Sequence, residues 1–340
     1  FSIEQKFSDE VLEKIELEEH RLKVTPPSSP EYSSILDYLH LIKSLPWNII
    51  NEQNISAHKI KKILDEKHYG LEEIKDLIVE YFSLQELTNV IIGSAFLFSG
   101  PPGTGKTSIA KAIAKAIGRE YVAISLGGVS DESEIRGHRR TYMGSKAGRF
   151  VTALSTCKTM NPVILLDEID KIATQKGNPE AALLELLDPE QNTNFIDRYL
   201  EIPIDFSKCM FICTANNLED ISPPLLDRLE SIEFRNYSAE EKIVIITNYI
   251  IPETISNFSL NDYDISFSST LIEYLAQKFQ LRKNKKIISR LLRYSAKCIL
   301  NQQTKNVSIN MKVYKALYHG LQEHQKGKIG FVKNFQFKEK

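Results

Sequence analysis

Residues 100–107 read "GPPGTGKT", and their interpretation decides the fold. The octet satisfies G-x-x-x-x-G-K-[ST] in full, and it stands between the apolar run "AFLFS" (95–99) and the helical pattern "SIAKAIAKAIG" (108–118). A strand that feeds a glycine loop and then a helix makes an anion site for a simple reason. Gly100, Gly103 and Gly105 free the backbone to turn its amides toward phosphate oxygens, at the positive end of the helix that follows. Pro101, Pro102, Thr104 and Ser108 complete the loop and the first helical turn. Lys106 would neutralise charge on the β- and γ-phosphates of ATP, and the Thr107 hydroxyl would ligate Mg²⁺.

Some sixty residues on, "VILLDEID" (163–170) carries four apolar residues and then acids. A buried strand here delivers Asp167 and Glu168 to its carboxyl end, where open α/β sheets bind ligands. Asp167 would hold Mg²⁺, in part through water, and Glu168 would polarise an attacking water as a general base. A solvated acidic first turn of a helix is the alternative reading of "DEID". From about 70 to 235, helical patterns alternate with the short runs "AFLFS", "YVAISL", "PVILLD", "CMFICTA" and "SIEF". Short apolar runs between helices predict an α/β fold with a parallel sheet covered on both faces.

The flanks differ. Residues 1–50 carry "DEVLEKIELEEHRLK" and "EYSSILDYLHLIKSLPW" at helical spacing, with Ser28, Ser29 and Pro30 between them. After Asn236 the patterns "SAEEKIVIITNYIIPETI", "SSTLIEYLAQKFQ", "KKIISRLLRYSAKCIL" and "NMKVYKALYHGL" predict helices without intervening strands. The expected domains are a helical linker over 1–60, an α/β ATPase domain over 61–235, a small helical domain over 236–322, and a lysine-rich tail over 323–340.

Composition restricts the partners. A formal net charge of -1 gives no global field for nucleic acid or an anionic membrane. With 42% hydrophobic and 26% charged residues the balance is that of a globular chain. No apolar run reaches the roughly 18 residues of a membrane span. Cys209 and Cys213 lie in "KCMFICTAN", which alternates like a buried strand, and no second pair completes a zinc set. With Cys157 and Cys298 the chain has four cysteines, which suit a reducing compartment. The first residue is Phe1, which predicts a piece of a longer chain.

Beyond these local signals, "PPSSPEY", "SLPWN", "LDEKHYGLEEIKDLIVEY", "ISLGGVSDESEIRGHRRTYMGS", "ALLELLDPEQNTNFIDRYLEIPIDFSK", "ICTAN" and "PPLLDRLE" occur in order. The chain thereby resembles the AAA+ ATPase module of Lon-type ATP-dependent proteases, from about residue 10 to 320. The resemblance implies a three-layer P-loop domain followed by a small all-helical lid. It implies that His68 and Tyr69 of "HYG" lie against the adenine. Asn216 becomes the sensor-1 residue, and Arg228 of "LLDRLE" the finger that reaches a neighbouring subunit's nucleotide, in a hexameric homo-oligomer. A surface ion pair of Arg228 with Asp227 or Glu230 is the alternative. Tyr142 and Met143 occupy what resembles the first pore loop, whose aromatic and thioether grip unfolded or damaged protein with little sequence preference. A second pore loop is expected near "TQKGN" (174–178), without an aromatic. Arg136, His138, Arg139 and Arg140 are expected to pair with acids between subunits; DNA contact is possible but not indicated.

Two departures stand out. The sensor-2 region reads "LRKNKKIISRLLRY" and lacks the family's glycine; Lys285 takes the position in one register and Arg282 in another. No Ser–Lys proteolytic motif precedes Lys340, so this chain is expected to hydrolyse ATP and cut nothing. The leading expectation is the unfolding motor of a Lon protease. The alternatives are a stand-alone AAA+ remodeller and a nucleic-acid motor. No membrane role is expected; a bacterial cytoplasm is preferred, with the mitochondrial matrix as the alternative.

Overall fold

The computed structural model describes residues 7–51, 56–88, 93–142, 144–172, 178–302 and 305–325. The chain divides into two compact units, Phe1–Arg235 and Asn236–Lys340.

The first unit is built on a five-stranded sheet. Its strands are β1 (Ser94–Ser99), β2 (Tyr121–Ser125) and β3 (Val163–Asp167), followed beyond a two-residue antiparallel pair, β4 (Phe195–Ile196) and β5 (Pro203–Ile204), by β6 (Met210–Ala215) and β7 (Glu230–Glu233). Their order is β2-β3-β6-β1-β7, and every pairing is parallel. The five apolar runs of the sequence are these five strands. The middle strands are mostly apolar because helices cover both their faces, and β6 is buried at all six positions.

Alternation along each strand divides the core. Phe96 and Phe98 of β1, with Val163 and Leu165 of β3, point into one cluster against the helices Ala57–Lys67, Glu72–Thr88 and Lys106–Ala116. Leu97, Ile164 and Leu166 point into the other. That second cluster also takes in Val11 and Ile15 of the helix Asp9–Val24, and Ile35, Tyr38, Leu39 and Ile42 of the helix Pro30–Ser44. The N-terminal helical hairpin is therefore part of the sheet's covering layer. Both helices begin on a serine cap: the Ser8 hydroxyl accepts from Val11 N and the Ser29 hydroxyl from Glu31 N.

The second unit is mainly helical and has its own core around Ile246, Leu271, Leu275, Ile288, Leu291 and Ile309. It departs from the all-helical expectation in one respect. β8 (Asp264–Phe267) and β9 (Asn306–Ile309) form a two-stranded parallel ladder of four residue pairs. Each is only four residues long with one side exposed, so neither shows the apolar run by which strands were recognised in the sheet. The helical pattern 238–255 carries a π turn at Ile246–Ile250, which ends two residues before Pro252. The proline ring conflicts with the carbonyl four residues back, and the widened turn relieves the conflict.

Candidate functional site

β1, β6 and β3 are adjacent, so their carboxyl ends bring three loops together. Ser99 lies beside Ala215 in register, and Leu166 beside Cys213. The phosphate loop leaves β1, the acids leave β3, and Asn216 follows β6.

The loop backbone is what the glycines permit. Gly100, Gly103 and Gly105 have φ of 129°, 85° and 103°, and a Cβ on Gly100 would stand 2.2 Å from the Phe234 carbonyl oxygen. Gly105 caps the helix Lys106–Ala116 without any side-chain hydrogen bond, so the helix start presents backbone amides. Thr104 Oγ1 braces the turn by donating to Pro101 O at 2.9 Å. Lys106 is only 8% exposed. Its Nζ donates to the carbonyls of Gly100 and Pro101 and, at 3.2 Å, to Asn216 Oδ1. Burial lowers its pKa, while the charges of Asp170 and Asp167 oppose that effect. Thr107 and Ser108 are exposed on the first turn, and Ser108 Oγ lies 3.0 Å from His68 Nε2. His68 ends the helix Ala57–Lys67, which places it and the partly exposed Tyr69 at the flank of the phosphate loop.

Asp167 ends β3 and accepts a hydrogen bond from Thr214 Oγ1 at 2.5 Å. Glu168 adopts a left-handed backbone, φ 60° and ψ 50°, and its N–H donates to the same Thr214 hydroxyl at 3.1 Å. A non-glycine residue in that region is costly and marks an imposed conformation. Its carboxylate lies against Gly127, where a Cβ would stand 2.4 Å from Glu168 Oε2. A glycine on the loop after β2 thus leaves room for the glutamate.

Three residues of this constellation escaped the sequence reading. Thr214 links the two acids. Asp170, buried, accepts from the backbone N–H groups of Asn216 and Asn217 at 3.1 and 3.3 Å, and so fixes the turn that carries Asn216. Its signal was available: it is the second aspartate of "DEID", three residues after Asp167. Asp188 of "LLDPEQN" is the third. Arg228 lies apart from the loop cluster, donates to Pro224 O at 2.9 Å and pairs with Asp188 at 3.3 Å, not with Asp227 or Glu230. Hydrogen bonding from Glu190 N, opposed by burial and aided by Arg228, holds the Asp188 carboxyl below the usual range.

Tyr142 is 65% exposed on the turn between Gly137 and Gly148, which is closed at its base by His138 N donating to Lys146 O at 2.9 Å. Met143 and residues 174–177 lie outside the described residues. Two members of the basic turn, expected to pair between subunits, pair with acids of the same chain. Arg136 pairs with Glu132 and Glu185, and Arg140 with Glu18. Lys285, in the helix Leu281–Gln302, bonds both oxygens of Glu253 at 2.9 and 2.8 Å within the second unit. Arg282 stands one turn earlier on that helix, at its start. The cysteines are unpaired; Cys157, Cys209 and Cys213 are buried, and burial pushes the thiols of all three up.

A glycine loop at a helix start, a buried lysine and strand-end acids on a parallel sheet define a P-loop ATPase, and comparison narrows the class. The family model described as "ATPase family associated with various cellular activities (AAA)" matches residues 96–237, and one described as "Parvovirus non-structural protein NS1" matches 37–121, a span that includes the phosphate loop. The chain is 44% identical over 307 residues to a mitochondrial Lon protease homolog of Kluyveromyces lactis, covering 88% of this chain and 27% of that protein. It is 48% identical over 259 residues to the peroxisomal Lon protease homolog 2 of Caenorhabditis elegans (76% and 34%), and 44% identical over 319 residues to Lon protease 2 of Thermus thermophilus (89% and 40%). The chain belongs to the Lon protease family, of which it carries the nucleotide-binding AAA ATPase module. It spans roughly a third of the length of these relatives.

Proposed function

We propose that this chain is the motor of a Lon protease: it hydrolyses ATP and uses the cycle to unfold damaged proteins and thread them toward a proteolytic chamber. The observation that carries the proposal is the meeting of Lys106, Asp167, Glu168 and Asn216 at the carboxyl ends of three adjacent parallel strands. In this reading the loop amides and Lys106 hold the β- and γ-phosphates, and His68 and Tyr69 flank the adenine. Glu168 takes a proton from the attacking water, and Asn216 orients that water. The donors suit Mg²⁺ with bound phosphates. Asp167 and Thr107 offer hard oxygens, and among the described residues no cluster of three or more His, Cys, Asp or Glu could hold a metal without the nucleotide. When bound, the ion would neutralise developing phosphate charge. Arg228 is assigned to a neighbouring subunit's nucleotide, which requires a ring, hexameric by family analogy. Tyr142 and Met143 are assigned to the grip on the polypeptide, and Lys285 or Arg282 to the lid's contact with phosphate. We keep 61–235 and 236–322 as the bounds of the ATPase domain and the lid.

Unpaired, mostly buried cysteines suit a reducing compartment, for which we prefer a bacterial cytoplasm, with a mitochondrial matrix as the alternative. The in-chain pairing of Arg136 and Arg140 speaks against the nucleic-acid motor, since these guanidiniums already have carboxylates. ATPase turnover measured with casein and with duplex DNA tests the proposal. Casein should accelerate it and DNA should not; the reverse result would reject the polypeptide motor.

A further inference from the structure

The turn that carries Tyr142 is held from two directions. On one side the Asp197 carboxylate, fully buried, accepts from Gly148 N at 2.7 Å and from the N–H groups of Tyr199 and Leu200 at 2.8 and 3.0 Å. Gly137 and Gly148 are glycines because a Cβ on either would stand within 2.8 Å of an Asp197 oxygen. That side is anchored within the ATPase core.

The other side is anchored elsewhere. Arg140, two residues before Tyr142, reaches the N-terminal helical hairpin and bonds both oxygens of Glu18, at 2.7 and 2.9 Å. Glu18 is 1% exposed, and the Arg140 guanidinium also lies over the Tyr38 ring at 4.0 Å. Tyr38 in turn donates its hydroxyl to Leu200 O at 2.9 Å, which ties the second helix of the hairpin to the segment that Asp197 caps. A two-pronged charge pair removed from water fixes distance and orientation together, as a lysine or an exposed pair does not. Glu18 has no place in the nucleotide site, so a purely catalytic account leaves this pair unexplained.

We propose that Glu18 and Arg140 form a strut by which the N-terminal helical hairpin positions the Tyr142 turn, making that hairpin a working part of the polypeptide grip. The inference rests on the reading of Tyr142 as a gripping residue. Its consequence is a separation of activities: loosening the strut spares basal ATP hydrolysis and weakens its response to polypeptide. It also gives whatever precedes or binds the hairpin a mechanical route to the grip.

The experiment compares Glu18→Gln and Arg140→Lys with the parent chain, and with Tyr142→Ala as a control for the grip itself. Three quantities are read: basal ATPase rate, acceleration by casein, and hydrogen exchange of the backbone at 138–147 against 163–167. The strut predicts near-parental basal rate and unchanged exchange at 163–167. It predicts faster exchange at 138–147 and a casein response weakened roughly 2- to 30-fold, the range found for residues that couple sites without touching a ligand. A full casein response in a variant whose 138–147 exchange has quickened would overturn the strut, as would unchanged exchange at 138–147 in both variants. If both variants fail to fold, the pair is structural only and the proposal falls. A Tyr142→Ala chain that keeps its casein response would instead reject the grip reading, independently of the strut.

Discussion

The phosphate cradle and the Tyr142 turn are both loops on one unit, yet they are held in opposite ways. The cradle is local. Its geometry follows from three positive-φ glycines, a helix start and Lys106 bonding carbonyls five and six residues back. The Tyr142 turn is held by residues far along the chain, Asp197 on one side and Glu18, 122 positions away, on the other. A site that must bind one fixed chemical group can be built from a short motif. Under the proposed reading of the Tyr142 turn, a surface that meets many polypeptides needs only its base fixed, and its support is distributed.

That contrast can be broken by substitution. The largest effect is expected from Arg228→Ala, because the finger role proposed for it, stabilising transition-state charge, is worth about 10³–10⁵ in rate. Steady-state turnover in the assembled chain should drop accordingly while ATP affinity stays within a few-fold, and parental turnover would return Arg228 to a structural pair with Asp188. Glu168→Gln comes next. It should bind ATP normally and hydrolyse it about 10²–10⁴-fold more slowly, the usual worth of a general base; single-turnover measurement separates the two. Gly127→Ala pushes on the Glu168 carboxylate from outside the motif, and displacement of a reacting group by about 1 Å can cost up to 10²-fold. A kcat loss with unchanged KM is expected, and an undisturbed kcat would mean that the carboxylate has room to spare.

The smallest effect concerns pH. Burial lowers the Lys106 pKa below the 10.5 of an ordinary lysine, so its charge is lost earlier as pH rises. The sign for stability is that the buried charge is a cost at neutral pH, relieved as pH passes through the lowered value. ATP affinity should therefore decline on the alkaline side sooner than a pKa of 10.5 would give. Titration by calorimetry in buffers of different ionisation heat would show it.

The same contrast explains what was legible in the sequence. β1, β3 and β6 were readable because they are largely buried and hence apolar, and β2 and β7 because they continue the same alternation with helices although much of each is exposed. The cradle was readable because its glycines, lysine and threonine fall within one octet. β8 and β9 were not, being short and half-exposed. Asp170 was printed within a motif, but its function is to accept two backbone N–H groups from a loop 46 and 47 residues on, which only the folded chain reveals. Arg136 and Arg140 read as a basic cluster seeking outside partners, since nothing local signals that Glu185 and Glu18 lie within reach. Arg228 likewise pairs with Asp188, forty residues away, rather than with its sequence neighbours.

The proposed hold of Lys106 on nucleotide underlies every other assignment, so a binding isotherm tests the account most directly. Equilibrium binding of ATP with Mg²⁺ to Lys106→Ala should weaken by at least about tenfold, the loss of one charge-assisted contact of roughly 1.5–3 kcal/mol. Affinity equal to that of the parent chain would contradict it.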